Sequence, residues 1–218
     1  GVVIGLNPAG PVDHKVPVLR VLAPNGKVRA VLFGYACHNT TLTAEFMQLS
    51  GDYAGFAQAE VERQFAGATA LFVELCGGDQ NPNPRSKLVL AEEHGNTLTS
   101  EVARVTKTAM APVSGRIRSA YQMTDLPFAP HTREQFEQEL QDPNEFKARR
   151  ARFMLDAYAE RREPRKLSYP VQAIRFDKGF TFVALGGEVV IDYSLWVQRT
   201  FPGERLMVAG YSNDVPCY

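Results

Sequence analysis

Apolar and polar positions along the chain fall into short blocks with two different periods. Val16 to Ala23 alternates apolar and polar residues, Asn25-Gly26 follows, and Lys27 to Ala36 resumes the strand pattern, which predicts a β-hairpin about an Asn-Gly turn. The period then changes. Tyr53, Phe56, Ala57, Val61 and Phe65 recur near helical spacing, so Asp52 to Phe65 predicts a helix, with N-cap chemistry offered by Ser50-Gly51-Asp52. Thr69 to Leu75 predicts a strand, Ala91 to Ala111 a long helix after a Gly/Pro/Asn-rich loop, and Gly115 to Gln122 another strand. Ser168 to Phe176 and Phe180 to Leu185 predict a second hairpin around Asp177-Lys178-Gly179, and Val189 to Phe201 a helix.

Thr132 to Lys166 has a different texture, crowded with charge and poor in β-branched residues. It predicts two surface helices, the second with Phe146, Phe153 and Ala157 as an apolar stripe beside Met154 and Tyr158. Its late basic run (Lys147 to Lys166) offers an anionic-surface patch, but interleaved Glu145, Asp156, Glu160 and Glu163 favour a solvated face. The expected fold class is α/β: a mixed β-sheet flanked by helices, with residues 132–166 as a charged helical insertion in a single domain spanning 1–218. A chain of 218 residues with 44% hydrophobic content is long enough to bury one such core. The opening at Gly1 and the stop at Tyr218, directly after a turn-like Asn213-Asp214-Val215-Pro216, are those expected of a fragment of a longer chain.

Four of the apolar runs end abruptly in polar clusters. Val28 to Ala36 leads into Cys37-His38-Asn39-Thr40, and Ala70 to Leu75 into Cys76-Gly77-Gly78-Asp79-Gln80-Asn81. Phe180 to Leu185 leads into Gly186-Gly187-Glu188, and Leu206 to Ala209 into Gly210-Tyr211-Ser212-Asn213-Asp214. Loops at strand ends line the crevice where α/β sheets bind ligands, so these clusters are expected to converge on one edge of a single sheet, as in an enzyme. Lys and Arg together number 24, as do Asp and Glu, and without excess positive charge a nucleic-acid partner is not expected. No apolar run approaches the roughly 20 residues of a membrane-spanning helix. Cys37, Cys76 and Cys217 are odd in number and widely spaced, which favours packing beneath the clusters over a disulfide framework.

His38 after one strand and Glu188 after another supply an imidazole nitrogen and a carboxylate oxygen, two of the ligand types zinc takes at roughly 2.0 to 2.2 Å. Each has a plainer reading, the histidine as an ordinary hydrogen-bonding group and the glutamate as a charge stabilised at a helix start. The loop Asp79 to Arg85 is the densest polar segment, and its residues equally suit a turn bonded to its own backbone. Asp52 reads as an N-cap. Of the other histidines, His14, His94 and His131, only His14 is placed to approach the strand-end face. No G-x-S-x-G, Walker loop or H-E-x-x-H occurs.

Taken in order, the clusters resemble the N-terminal catalytic domain of the neutral/alkaline (non-lysosomal) ceramidases. The segments that carry the resemblance are Tyr35-Ala36-Cys37-His38-Asn39-Thr40, Ser50-Gly51-Asp52-Tyr53-Ala54-Gly55, Gly78-Asp79-Gln80-Asn81-Pro82-Asn83, Gly187-Glu188 and Gly210-Tyr211-Ser212-Asn213-Asp214-Val215-Pro216-Cys217-Tyr218. The resemblance implies a Zn2+ cofactor held by His38, Glu188 and Tyr218, with a further histidine from an upstream motif outside this chain. It implies catalytic roles for Asn81, which stands where the family has a serine, and for Asp79, which orients the loop. Asp52 and Asn213 become substrate-binding candidates. Asn81 cannot act as a serine-like nucleophile, and Val215 stands where the family's last motif has its first tyrosine, so a divergent branch is implied. The implied activity is hydrolysis of an amide in an N-acyl (sphingo)lipid-like small molecule by metal-activated water, in a secreted or periplasmic protein with room for peripheral membrane contact. A non-catalytic lipid- or carbohydrate-binding domain with a degraded metal site is the alternative, and manganese or magnesium the alternative metals.

Overall fold

The computed structural model describes residues 5–215, apart from the side chain of Lys178. Two mixed sheets and five helices are present among these residues, an α/β fold. The first sheet has the order β1-β2-β3, built from β1 (Val18–Leu22), β2 (Val28–Tyr35) and β3 (Thr69–Glu74). β1 and β2 form the antiparallel hairpin expected around Asn25-Gly26, where Gly26 takes φ +81°. β2 and β3 are parallel, with Ala30 to Tyr35 in register against Thr69 to Glu74, and helix α1 (Asp52–Gln64) makes the crossover. Parallel neighbours require such a crossover because a tight turn cannot reverse the chain twice.

The second sheet repeats this plan. Its order is β4-β5-β6-β7, with β4 (Ser114–Pro127), β5 (Lys166–Lys178), β6 (Phe180–Leu185) and β7 (Leu206–Ala209). β5 and β6 pair antiparallel about Gly179, while β6 and β7 pair parallel across helix α5 (Ile191–Thr200). The single sheet expected for the strand ends is therefore two sheets, which meet through one antiparallel bridge between Leu75 and Ala209.

Alternation along β2 explains the core. Val31 and Phe33 point to one face, where Tyr53, Ala54, Ala57 and Val61 of α1 meet Leu98 and Val102 of α2 (Leu88–Thr106). Leu32 points to the other face and joins Ala36, Leu75, Ile191 and Met207 in a second cluster. A third, on Cys76, Val189, Val197 and Val208, fills the space under β6, β7 and α5. The two long helices lie close because Gly95 has no side chain: a Cβ there would stand 2.6 Å from that of Phe56.

α2 starts earlier than its periodicity predicts and stops at Thr106 instead of Ala111. The guanidinium of Arg20 in β1 donates to the Thr106 carbonyl at 2.8 Å, and the hydroxyls of Thr106 and Thr108 donate to Ala103 and Val105. Those partners close the last turn where helix-forming Ala and Met would have extended it. At the start of α1 the N-cap position is Gly51, and the flanking side chains serve the first N–H groups: the Ser50 hydroxyl accepts from Asp52 at 3.0 Å and the Asp52 carboxylate from Tyr53 at 2.7 Å.

By contact density the chain divides into two units, 5–121 with 171–215 and Gln122–Pro170. The second contains helices α3 (Arg133–Glu139) and α4 (Glu145–Ala159), which pack around Phe136, Ala151 and Met154. Thr132 and Gln135 form a reciprocal capping box on α3, and Asn144 caps α4. His131 is held between the Tyr158 hydroxyl at 2.8 Å and the Pro164 carbonyl at 2.9 Å, a structural use of that histidine.

Phe33 is fully buried in the first cluster, while Val21 on β1 is 43% exposed. Phe33→Ala is expected to cost about 3–5 kcal/mol in urea unfolding, and Val21→Ala less than about 1 kcal/mol.

Candidate functional site

All four polar clusters lie at the carboxyl ends of the parallel strands, β2, β3, β6 and β7, and their residues belong to the first unit. Four consecutive residues after β3 tie the ends together. Gly77 passes the end of β2 so closely that a Cβ would lie 2.6 Å from the Cys37 nitrogen. Gly78 passes the start of α5, where a Cβ would lie 2.4 Å from the Glu188 carbonyl oxygen, and its N–H donates to Val189 at 3.0 Å. Asp79 accepts from the Ile191 N–H at 3.1 Å, capping the otherwise uncapped N-terminus of α5. The Gln80 carbonyl accepts from both the backbone N–H of His38 at 3.0 Å and its ring Nδ1 at 2.9 Å.

That last contact decides the histidine's tautomer. A carbonyl oxygen only accepts, so Nδ1 carries the proton and Nε2 of the neutral ring is left as an acceptor. The Tyr211 hydroxyl, 2.9 Å away, donates to it. Oε2 of Glu188 lies 3.6 Å from the same Nε2, so two acceptors face one another. Two ligands on a tetrahedral ion at about 2.1 Å would stand about 3.4 Å apart, so the pair has the spacing of neighbours on one zinc ion. Their side chains are 19% and 27% exposed, which keeps the pair accessible from solvent. Binding of the other ring nitrogen to a backbone carbonyl is also the usual outer-shell support for a ligating histidine. His38 and Glu188 thus fit a cation. No third His, Cys, Asp or Glu among the described residues completes a metal-holding group with them. Tyr218 lies outside the described residues, as does Cys217.

Two neighbours were not singled out from sequence. Tyr211, at φ +50°, turns its phenol onto His38 with the rings edge to face. Glu74, the last residue of β3, lies in the field of both His38 and Glu188, and burial pushes its carboxyl up to about 7. Its one sequence signal is a charge inside the apolar run Ala70 to Leu75; that of Tyr211 is an aromatic in a polar turn.

The remaining candidates are placed as follows. Asn81 is exposed; its Oδ1 accepts from the Thr40 hydroxyl at 3.0 Å and from Arg85 at 3.4 Å, leaving its amide N–H groups without a partner among the described residues. Asn81 also lines a cavity of about 460 Å³, together with Val16, Tyr35, Tyr53 and Leu98. His14 lines the same cavity and meets the Tyr35 hydroxyl at 3.1 Å. Asp52 is buried, at φ +51°, and its carboxylate accepts from Leu42 and Tyr53 N–H groups at 2.7 Å each, so it braces the loop that follows His38. Asn213 is exposed and donates to Gln172 at 3.3 Å. Burial pushes the Cys37 and Cys76 thiols up to about 12, which leaves both as packing groups and not nucleophiles.

Among solved structures, the chain is similar to neutral ceramidase from Pseudomonas aeruginosa, with a TM-score of 0.65 and 18% identity over 92% of this chain and 40% of that one. It is also similar to a ceramidase complexed with C2, with a TM-score of 0.69 and 16% identity over 97% of this chain and 44% of that one. The shared property is the fold. The chain spans about two-fifths of the length of these structures. No protein-family model and no curated protein matches its sequence.

Two substitutions test the glycine contacts. Gly78→Ala is expected to destabilise the chain by about 3 kcal/mol in chemical denaturation, because the methyl meets a backbone carbonyl. Gly187, at φ +65° with open space around it, should lose only about 1–2 kcal/mol on the same change. The Glu74 carboxyl generates a pH prediction. Its folded pKa of about 7 exceeds the ordinary 4.5, so the folded state binds that proton more tightly. This contribution is fully present below about pH 4.5 and is lost as pH rises through 7, on the order of 2–3 kcal/mol in metal-free protein. Glu74→Gln should flatten that part of the stability profile, measured by thermal unfolding across pH 4 to 8.

Proposed function

We propose that the chain is part of a zinc-dependent hydrolase of ceramidase type that cleaves the amide bond of an N-acyl (sphingo)lipid-like substrate. The observation that carries this reading is the His38–Glu188 pair: Nδ1 fixed on a backbone carbonyl, and Nε2 facing a carboxylate oxygen at 3.6 Å. No lysine or arginine among the described residues pairs with that carboxylate. The neighbours' fold supports the reaction class.

His38 and Glu188 would hold the metal with Tyr218 and, by the resemblance, an upstream histidine. A zinc ion there would act as a Lewis acid and lower the pKa of water toward about 7. The chain's own residues supply the rest. Gln80 keeps the imidazole in the ligating tautomer. Asp79, by capping α5 three residues after Glu188, fixes where that carboxylate stands. Asn81 stands on the cavity wall with an unengaged amide, which suits it to donate to the oxyanion that forms as the amide carbonyl is attacked. The cavity of about 460 Å³ falls in the usual range of small-molecule sites and would take the substrate's organic portion. Secretion to the cell exterior or periplasm, and peripheral contact with a lipid surface, belong to the same proposal. No helix among the described residues is long and apolar enough to cross a membrane.

In the full natural chain, Asn81→Ala is expected to lower kcat about 10- to 1,000-fold on N-acyl lipids with bound zinc unchanged. Glu188→Gln and His38→Ala should lose the zinc itself, measured by elemental analysis after dialysis. A parent protein inert on every amide tested, whose Asn81→Ser variant hydrolyses ceramide, would instead identify a binding domain with a disabled catalytic loop.

A further inference from the structure

Glu74 and Asn39 leave two enclosed oxygens without a partner. Glu74 Oε2 accepts from the Asn39 amide at 2.6 Å, but Glu74 Oε1 and Asn39 Oδ1 are both buried and unpaired. Asn39 Oδ1 is an acceptor, and so is Glu74 Oε1 when the carboxyl is ionised, so what the ionised pair lacks is a hydrogen-bond donor or a positive charge. No lysine or arginine among the described residues pairs with Glu74; of its charged neighbours His38 favours the ionised carboxyl, while the nearby Glu188 adds a second carboxylate that opposes it. Burying a carboxyl oxygen without a partner is costly, and it is tolerated where a compensating charge is expected.

The location gives that cost a use. Glu74 stands in register beside Tyr35, three residues before His38, and Asn39 directly follows His38. The Glu74–Asn39 bond therefore grips the residue after the ligand, while the Gln80 carbonyl grips the ligand itself. We propose that Glu74 is a positioning residue of the metal centre: through Asn39 it orients His38, and its charge, added to that of Glu188, matches the site to a divalent cation. This rests on the metal-centre reading above. A purely structural Glu74 would predict the opposite pattern, in which weakening the Asn39 contact lowers stability and metal affinity together.

The test uses the full natural chain, with Zn2+ affinity measured by competition against a chromophoric chelator and thermal unfolding measured on chelator-stripped protein. Glu74→Gln keeps a side chain that can accept from Asn39 but cannot ionise. Its zinc affinity is expected to fall about 10- to 100-fold, while its metal-free unfolding midpoint at pH 8 rises, because a buried charge has been removed. Glu74→Asp, which keeps the charge, is expected to recover part of the lost affinity. Equal zinc affinity in Glu74→Gln and parent would overturn the role of Glu74 and leave the metal centre standing. A parallel loss of stability and affinity would also overturn it, by making the residue merely structural. A parent protein that binds no zinc overturns both readings at once.

Discussion

The close passage of Gly77 and Gly78 between two strand ends is the constraint on which the site depends. Within four residues, the chain after β3 packs its backbone against Cys37, bonds to Val189, caps α5 through Asp79 and presents the Gln80 carbonyl to His38. One face of this loop thus positions the imidazole and the other positions the carboxylate. Any side chain at Gly78 would push the Glu188 backbone away, and the 3.6 Å spacing between Nε2 and Oε2 would be lost with it.

The electrostatics of the site follow from this geometry. His38 is held by Nδ1 on the Gln80 carbonyl, Glu188 stands 3.6 Å from its Nε2, and Glu74 adds a carboxyl that burial makes hard to ionise. Elsewhere on the chain, carboxylates have found guanidinium or ammonium partners, as in Glu60–Arg63, Glu101–Arg104 and Arg150–Glu139. Those pairs sit in solvent, where each contributes little. Among the described residues no lysine or arginine pairs with Glu188, whose ion-pair partner is His38.

Both sheets carry the same succession of antiparallel hairpin, crossover helix and parallel strand: β1-β2-α1-β3 and β5-β6-α5-β7. Each half brings the carboxyl ends of its parallel pair to the Leu75–Ala209 bridge. Ligands of open α/β sheets bind at such carboxyl ends, where loops can diverge without disturbing the strands beneath. The segments share no sequence repeat, since only the pattern of buried positions and the turn residues need recur.

Element types were legible from period alone. The Asn25-Gly26 hairpin, α1, the β5–β6 hairpin and α5 are where alternation or helical spacing places them, because both signals report which side of an element faces the core. His38 and Glu188 were legible as residues that end apolar runs, and their meeting across the 149 positions between 38 and 188 followed only from the family resemblance and the strand-end rule. Other features needed the tertiary structure. Thr106 ends α2 because Arg20, from a distant strand, bonds its carbonyl. Asp79 and Asp52, which read locally as turn and cap residues, each brace a different segment of the site, Asp79 at Ile191 and Asp52 at Leu42. Glu74 lies in no motif, and Tyr211 lies in the last segment of the resemblance without a role assigned to it there. Sequence determines which residues are apolar and at what period, so it specifies elements; which acceptor is left without a donor depends on contacts between residues far apart in the chain, and only the folded arrangement decides it.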